Sequence, residues 1–252
     1  MHEMIRTGLL MMSLAAIALA DVTQAPQSAK ENQAPGDAEA YYRRGVAAAD
    51  GNGVPQDYAA AAQYYRKAAE KGHIPAQYNL AYLYENGLGV ERNCEQAAAW
   101  YRKAAEQGDP ESQNNLGVLY ATGNGVPRDE AEAVRWYRLA ADQGDLHGMN
   151  NLSTMYLQGR GVSRDFVRAF DLYRRAAESG YAAAQNNLAL MYANGQGVDK
   201  DYVWAYAWLD LAADQIPAVT ELRDQIAKEM TPAQIEKARK RAAGMRVQET
   251  GK

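Results

Sequence analysis

Apolar residues along this chain recur at helical spacing, in short stretches broken by glycine. In one such stretch Ala76, Leu80 and Tyr84 fall at i, i+4 and i+8, a stripe down one face of an α-helix. Gly87-Leu88-Gly89 interrupts it, since glycine takes the positive φ values that other residues avoid. A second stripe follows in Ala97, Trp100, Tyr101, Ala104 and Ala105. It ends before Gly108, placed as a C′ cap, with Arg102 and Lys103 near the negative end of the helix dipole. The predicted unit is a pair of helices around a glycine loop.

That unit recurs every 36 residues without a gap. G-x-G-V pairs stand at Gly51/Gly53, Gly87/Gly89, Gly123/Gly125, Gly159/Gly161 and Gly195/Gly197. The aromatic Tyr64 returns as Trp100, Trp136 and Trp208, with Leu172 in the fourth copy. Small residues at Ala81, Gly117, Ser153 and Ala189, facing Ala-Ala pairs such as Ala104-Ala105, are expected to let the two helices approach closely. One pair cannot bury its apolar face alone, and stacked pairs can. The pattern therefore predicts an all-α protein, an α/α superhelical solenoid of five units over residues 38–215, stepping round with a right-handed turn. Residues 216–252 read as a capping helix pair and tail. Ala218, Leu222 and Ile226 give one amphipathic helix; Thr231-Pro232-Ala233-Gln234 resembles a capping box with Pro at N1, starting a basic helix to about Ala243.

The pattern A-x-x-x-L-G/A-x-x-Y-x-x-G-x-G-V…A-x-x-W-Y-x-x-A-A-x-x-G resembles the Sel1-like repeat, a relative of the tetratricopeptide repeat, from Ala38 to Gln215. The resemblance implies proteins that act as adaptors, signalling regulators or envelope scaffolds. Some restrain membrane sensor kinases or organise cell-wall enzymes, so the implied partner is an envelope sensor or a cell-wall enzyme. A cysteine-rich branch, similar to secreted penicillin-binding or weak β-lactamase proteins, carries a cysteine pair in each repeat. This chain has only Cys94, and no serine nucleophile with a Lys or His partner is evident. A weak hydrolase acting on β-lactam or cell-wall substrates is therefore the alternative, and a non-enzymatic protein-binding scaffold is the reading preferred.

Composition narrows the picture further. The chain is 47% hydrophobic with a net charge of −4, enough for a sizeable core and too little charge for a nucleic-acid or anionic-membrane binder. Two Phe against seventeen Tyr leave the aromatic packing to rings with a polar tip. The register sets Cys94 beside Tyr58, Phe166 and Tyr202, a half-packed position at the start of a second helix. His73 and His147 lie in different units without metal-ligand spacing, and the G-x-G pairs follow no strand, so no cofactor or metal is expected. Lys237, Arg239, Lys240 and Arg241 read as the solvated turn of the last helix.

The first residues have their own pattern. Arg6 precedes the apolar run from Leu9, and Ala18 and Ala20 make an A-x-A site before Asp21. Residues 1–20 thus read as a secretory signal peptide, which predicts a periplasmic or secreted protein cleaved near Ala20. The run is short of the about 20 apolar residues of a membrane span. Residues 21–37, rich in Gln, Ala and Pro, read as a disordered leader.

In tetratricopeptide repeats the first helices line a concave groove. By that analogy the groove row lies one residue from the core stripe. It starts with Tyr42, Val46 and Ala49, then Tyr78, Tyr82 and Glu85. Asn114, Val118 and Ala121 follow, then Asn150, Thr154 and Leu157, and last Asn186, Leu190 and Ala193. Tyrosines give broad amphipathic contact, and Asn amides can hold an extended backbone from a protein or peptide partner. The next row, Asn79, Asn115, Asn151 and Asn187, is expected to bond the inter-helix loops.

Overall fold

The computed structural model describes residues 37–250, with side chains described as far as Arg246. The expected signal and all but the last residue of the expected leader lie outside the described residues. Within them, all regular structure is helical. The first pair is α1 (Ala38–Asp50) and α2 (Tyr58–Ala69), the second α3 (Ile74–Asn86) and α4 (Cys94–Glu106). The third is α5 (Pro110–Thr122) and α6 (Glu130–Asp142), the fourth α7 (Leu146–Gln158) and α8 (Phe166–Glu178). The fifth pairs α9 (Ala182–Asn194) with α10 (Tyr202–Ala212). A 3-10 turn, Pro217–Val219, leads to α11 (Thr220–Ala227) and α12 (Pro232–Thr250). Through α10 each helix packs on the one before and the one after, giving the α/α solenoid that the periodicity predicts, and α12 folds back against α10.

Local chemistry fixes where the helices begin. Asp57, Asn93, Asp129, Asp165 and Asp201 precede the five second helices, and each side chain accepts backbone N–H groups two or three residues ahead. A cap of this kind contributes about 1 kcal/mol. Each first helix ends on the leading glycine of its loop in the left-handed conformation, as at Gly87, φ 68°.

The second glycine of the loop answers to stacking. A Cβ on Gly125 would collide with the Cys94 carbonyl at the start of α4, in the preceding repeat. Gly89, Gly161 and Gly197 meet Tyr58, Glu130 and Phe166 in the same way. Gly53 has nothing within 4 Å.

Inside each pair a tyrosine of the second helix lies on the small residue of the first. A Cβ on Gly117 would sit 2.7 Å from the Tyr137 ring. Leu80, Leu116 and Leu188 are fully buried between repeats. Buried polar groups close bonds between units: Gln77, Gln113 and Gln185 donate to the carbonyls of Ala69, Ala105 and Ala177 near the ends of α2, α4 and α8. Within their own repeats Gln107 and Gln143 donate to Gln77 and Gln113, at 2.7 and 2.8 Å. Arg66, Arg102 and Arg138 reach forward to the hydroxyls of Tyr84, Tyr120 and Tyr156 in the following repeat.

The cap departs from expectation in two places. The capping box forms, Thr231 N–H donating to Gln234 Oε1 at 2.8 Å and Gln234 N–H to Thr231 Oγ1 at 3.3 Å. The helix it starts, however, runs to Thr250 rather than Ala243. Arg246 holds the extension by ion pairs to Asp214, 2.7 Å, and Asp210, 3.1 Å, a tie invisible to apolar periodicity. Ala218 is exposed in the 3-10 turn, and Val219 is buried in its stead. No described helix is long and apolar enough to cross a membrane.

Candidate partner-binding groove

The expected row comes from the five first helices, and their composition is unlike that of their partners. α3, α5, α7 and α9 contain neither Lys nor Arg, and their only acids are Glu85 and Glu111. The bases stand on the second helices, among them Arg66, Lys67, Arg102, Lys103, Arg135, Arg138, Arg174 and Arg175. One face of the solenoid is thus nearly free of cations.

At the aromatic end Tyr42 stacks on His73, centroids 4.5 Å apart, and leans on Tyr65 at 6.0 Å. The imidazole Nδ1 accepts Ala76 N–H as a helix cap, so Nε2 carries the hydrogen and donates to Glu39 at 2.9 Å. Tyr78 is half-buried, edge-on to Tyr101 at 5.7 Å, with its hydroxyl beside Asn115 and Glu111. Burial pushes its phenol well above the ordinary range. Tyr78 therefore packs into the repeat rather than pointing away from it, as its register had suggested. Tyr82, one turn on, is half-buried without a ring or cation stacked on it among the described residues. Glu85 completes that face. Its Oε2 accepts the Tyr101 hydroxyl at 2.9 Å. Burial raises its carboxyl above the usual value, outweighing the Tyr101 bond and the more distant Arg92.

Farther along, the asparagines form a ladder. Asn114 is buried; its Oδ1 accepts Asn151 at 2.8 Å and its Nδ2 donates to Asn115 at 3.2 Å. Asn150 Oδ1 accepts Asn187 at 3.0 Å, and Asn186 donates weakly to Asn187 at 3.5 Å. The second asparagine row therefore bonds the groove row of the preceding repeat, not the inter-helix loops. The same geometry occupies much of the capacity that Asn114 and Asn150 would offer a partner. Val46, Val118, Leu157 and Leu190 are half-buried between these polar positions.

Sequence reasoning missed a row beneath them. Tyr65, Tyr101, Tyr137 and Tyr173, one in each of the first four repeats and almost fully buried, send hydroxyls from the second helices toward the first-helix face, and the fifth repeat has Leu209 there. Tyr101 reaches Glu85, and Tyr173 meets Thr154 Oγ1 at 2.7 Å. The pairs Tyr64-Tyr65, Trp100-Tyr101, Trp136-Tyr137 and Leu172-Tyr173 carried the signal, a constant second member beside a variable first in four copies of the five.

Elsewhere little competes as a site. Among the described residues no group of three His, Cys, Asp or Glu is placed to hold a metal ion. Cys94 is a half-buried free thiol at the start of α4, in the position its register gave. Of the basic run on α12, Arg241 lies over Trp204 at 4.2 Å, Lys240 pairs with Glu236 and Arg239 reaches Tyr206.

Comparison with known proteins agrees with this architecture. A family model described as the Sel1 repeat matches residues 38–73, 74–109, 110–145, 146–181 and 182–216. Among solved structures, a protective antigen present in uropathogenic Escherichia coli strains, displaying an SLR fold, is 39% identical with a TM-score of 0.80. The match covers 83% of this chain and 45% of the antigen, so this chain spans less than half of that protein. A Sel1 repeat protein from Oxalobacter formigenes is 38% identical with a TM-score of 0.67, over 70% of this chain and 73% of that one. No curated protein matches.

Proposed function

Because the chain belongs to the Sel1 repeat family, we propose that it is an exported scaffold that engages a protein or peptide partner through the groove of its first helices. Sel1 repeat solenoids commonly serve as protein-interaction scaffolds. The observation that carries the groove reading is the face just described: four successive first helices bring tyrosine, asparagine and aliphatic side chains to one row, with no Lys or Arg. Aromatic and amide groups of this kind suit an extended polypeptide, whose backbone needs donors and acceptors and whose side chains need apolar seats. The export reading rests on the A-x-A site before Asp21, and the resemblance to Sel1-like envelope proteins suggests a sensor or a cell-wall enzyme as the partner.

The test begins with cross-linked capture from the native envelope and continues by titration calorimetry with the protein recovered. Tyr82→Ala is expected to weaken binding by ~2 kcal/mol, the scale of an interface hot spot. Lys103→Ala, whose ammonium lies over Trp100 on the opposite helix row, serves as control and should change little. Equal affinities for Tyr82→Ala and the unaltered chain would remove the groove from the site.

A further inference from the structure

The chemistry that a partner must present to the groove is set at Glu85. The equivalent positions in the other four repeats are Ala49, Ala121, Leu157 and Ala193, so the fold is served there by an aliphatic side chain. Repeat two instead sets a carboxylate into a half-buried position on a helix without a single base. Arg92, in the loop that follows, donates to the Glu85 main-chain carbonyl at 3.0 Å and not to the carboxylate, so it and the phenol hydrogen bond offset only part of the cost of burying the charge. A cation arriving from outside would offset the rest.

Two neighbours suit such a cation. Tyr82 precedes Glu85 by one helical turn on the same face, and its ring is open to a guanidinium or ammonium. Rings turned toward the bases of the second helices are already covered, Tyr84 of α3 by Arg66 and Trp100 of α4 by Lys103. Glu111, beside the Tyr78 hydroxyl, adds negative potential from the next repeat.

Tyr137 supplies a second polar group that such a ligand could use. It is 1% exposed, and its equivalents Tyr101 and Tyr173 spend their hydroxyls on Glu85 and Thr154. In the third repeat those two positions hold Ala121 and Val118, which accept nothing. The Tyr137 hydroxyl has no hydrogen-bond partner among the described residues, and by register it faces the groove one repeat beyond Glu85. The ring is buried but the oxygen is not among the sealed, unbonded atoms, so the hydroxyl opens to the surface, where it is free to bond a ligand group.

Resting on the groove reading above, we propose that the occupant is an extended polypeptide segment bearing an arginine or lysine, with its cation on Glu85 and Tyr82 and its main chain hydrogen-bonded to Tyr137. Phosphate-rich partners are disfavoured by the same charges.

The experiment uses the purified full chain and four mixtures of fluorescein-labelled, end-blocked peptides. Each mixture is randomised except at one central position, fixed as Arg, Lys, norleucine or Glu. Fluorescence anisotropy should show the Arg and Lys mixtures binding ~10-fold more tightly than norleucine, with Glu weakest. Glu85→Gln should shrink the Arg-to-norleucine ratio to about threefold or less while leaving norleucine affinity nearly unchanged. Tyr137→Phe should weaken the Arg, Lys and norleucine mixtures by a common factor of ~3–5 and keep the cation preference. Circular dichroism on each variant confirms the fold. An Arg preference that survives Glu85→Gln, or a Glu mixture that binds best, overturns the cation assignment and leaves the groove in place. If instead Tyr82→Ala alters no mixture, the groove itself falls. A chain that binds none of them at about 1 mM, the floor of weak recognition, overturns both.

Discussion

Glu85 offers a test that needs no partner. If its carboxylate is held at a cost to the fold, the isosteric Glu85→Gln should stabilise the chain at neutral pH. The amide oxygen keeps an acceptor for the Tyr101 hydroxyl, so only the charge is removed. Partial desolvation of a carboxylate and a hydrogen bond to it are each of order 1–3 kcal/mol and oppose one another. Here burial wins, since the carboxyl is raised rather than lowered. The surplus is a fraction of either, and the group is only half-buried, so the expected gain is ~0.5–1 kcal/mol. The sign with pH follows from the same shift. A carboxyl raised on folding contributes stability that is fully present below its unfolded value, about 4.3, and is lost as pH rises through the folded value. The unaltered chain should therefore match Glu85→Gln near pH 4 and fall behind it by pH 7. Urea unfolding followed by circular dichroism at both pH values measures the difference, with the slopes compared because repeat arrays can lose two-state behaviour. A Glu85→Gln protein less stable than its parent at pH 7, or a difference that does not change with pH, would refute the reasoning.

Three further outcomes are expected. Leu116→Ala or Leu152→Ala, buried between repeats, should cost ~2–5 kcal/mol in the same unfolding assay; a change below about 0.5 kcal/mol belongs to surface sites and would mean the stripe is misplaced. Gly53→Ala should cost only the left-handed backbone penalty of about 1–2 kcal/mol, whereas Gly125→Ala adds a collision with the Cys94 carbonyl and should cost at least twice as much; equal costs would show that the loop does not seat on the preceding repeat. Mass-spectrometric sequencing of native protein should find Asp21 at the N-terminus in an extracytoplasmic fraction, and retention of residues 1–20 on cytoplasmic protein would dispose of the export reading.

The pairing of helices, the loop glycines and the stacked core were legible because one register runs through five copies, so each stripe is confirmed four times over. The row Asp57, Asn93, Asp129, Asp165 and Asp201 was equally legible as N-caps, since it keeps the same period, although an apolar stripe alone does not mark it. The site was harder. Periodicity marks Tyr101 and Tyr137 as buried with Trp100 and Trp136, but a stripe says nothing of where a hydroxyl at the far end of a ring emerges. Nor does it show that adjacent asparagines, Asn114 and Asn151 among them, join across repeats instead of facing solvent. Both depend on how one helix sits over another. The end of α12 escaped for a third reason, because Arg246 fixes it by charge.

The bridges between units also bear on how such a protein changes length over evolutionary time. They join residues 18 or 37 positions apart, always to an adjoining repeat. Duplicating one whole unit would break none of them in kind, because the newcomer offers the same donors upward and the same acceptors downward. Each duplication would lengthen the groove by one helix and the readable peptide by a fixed step. Recognition could then grow like a sentence, by adding a word, while single changes such as alanine to glutamate at the Glu85 position decide what each word says.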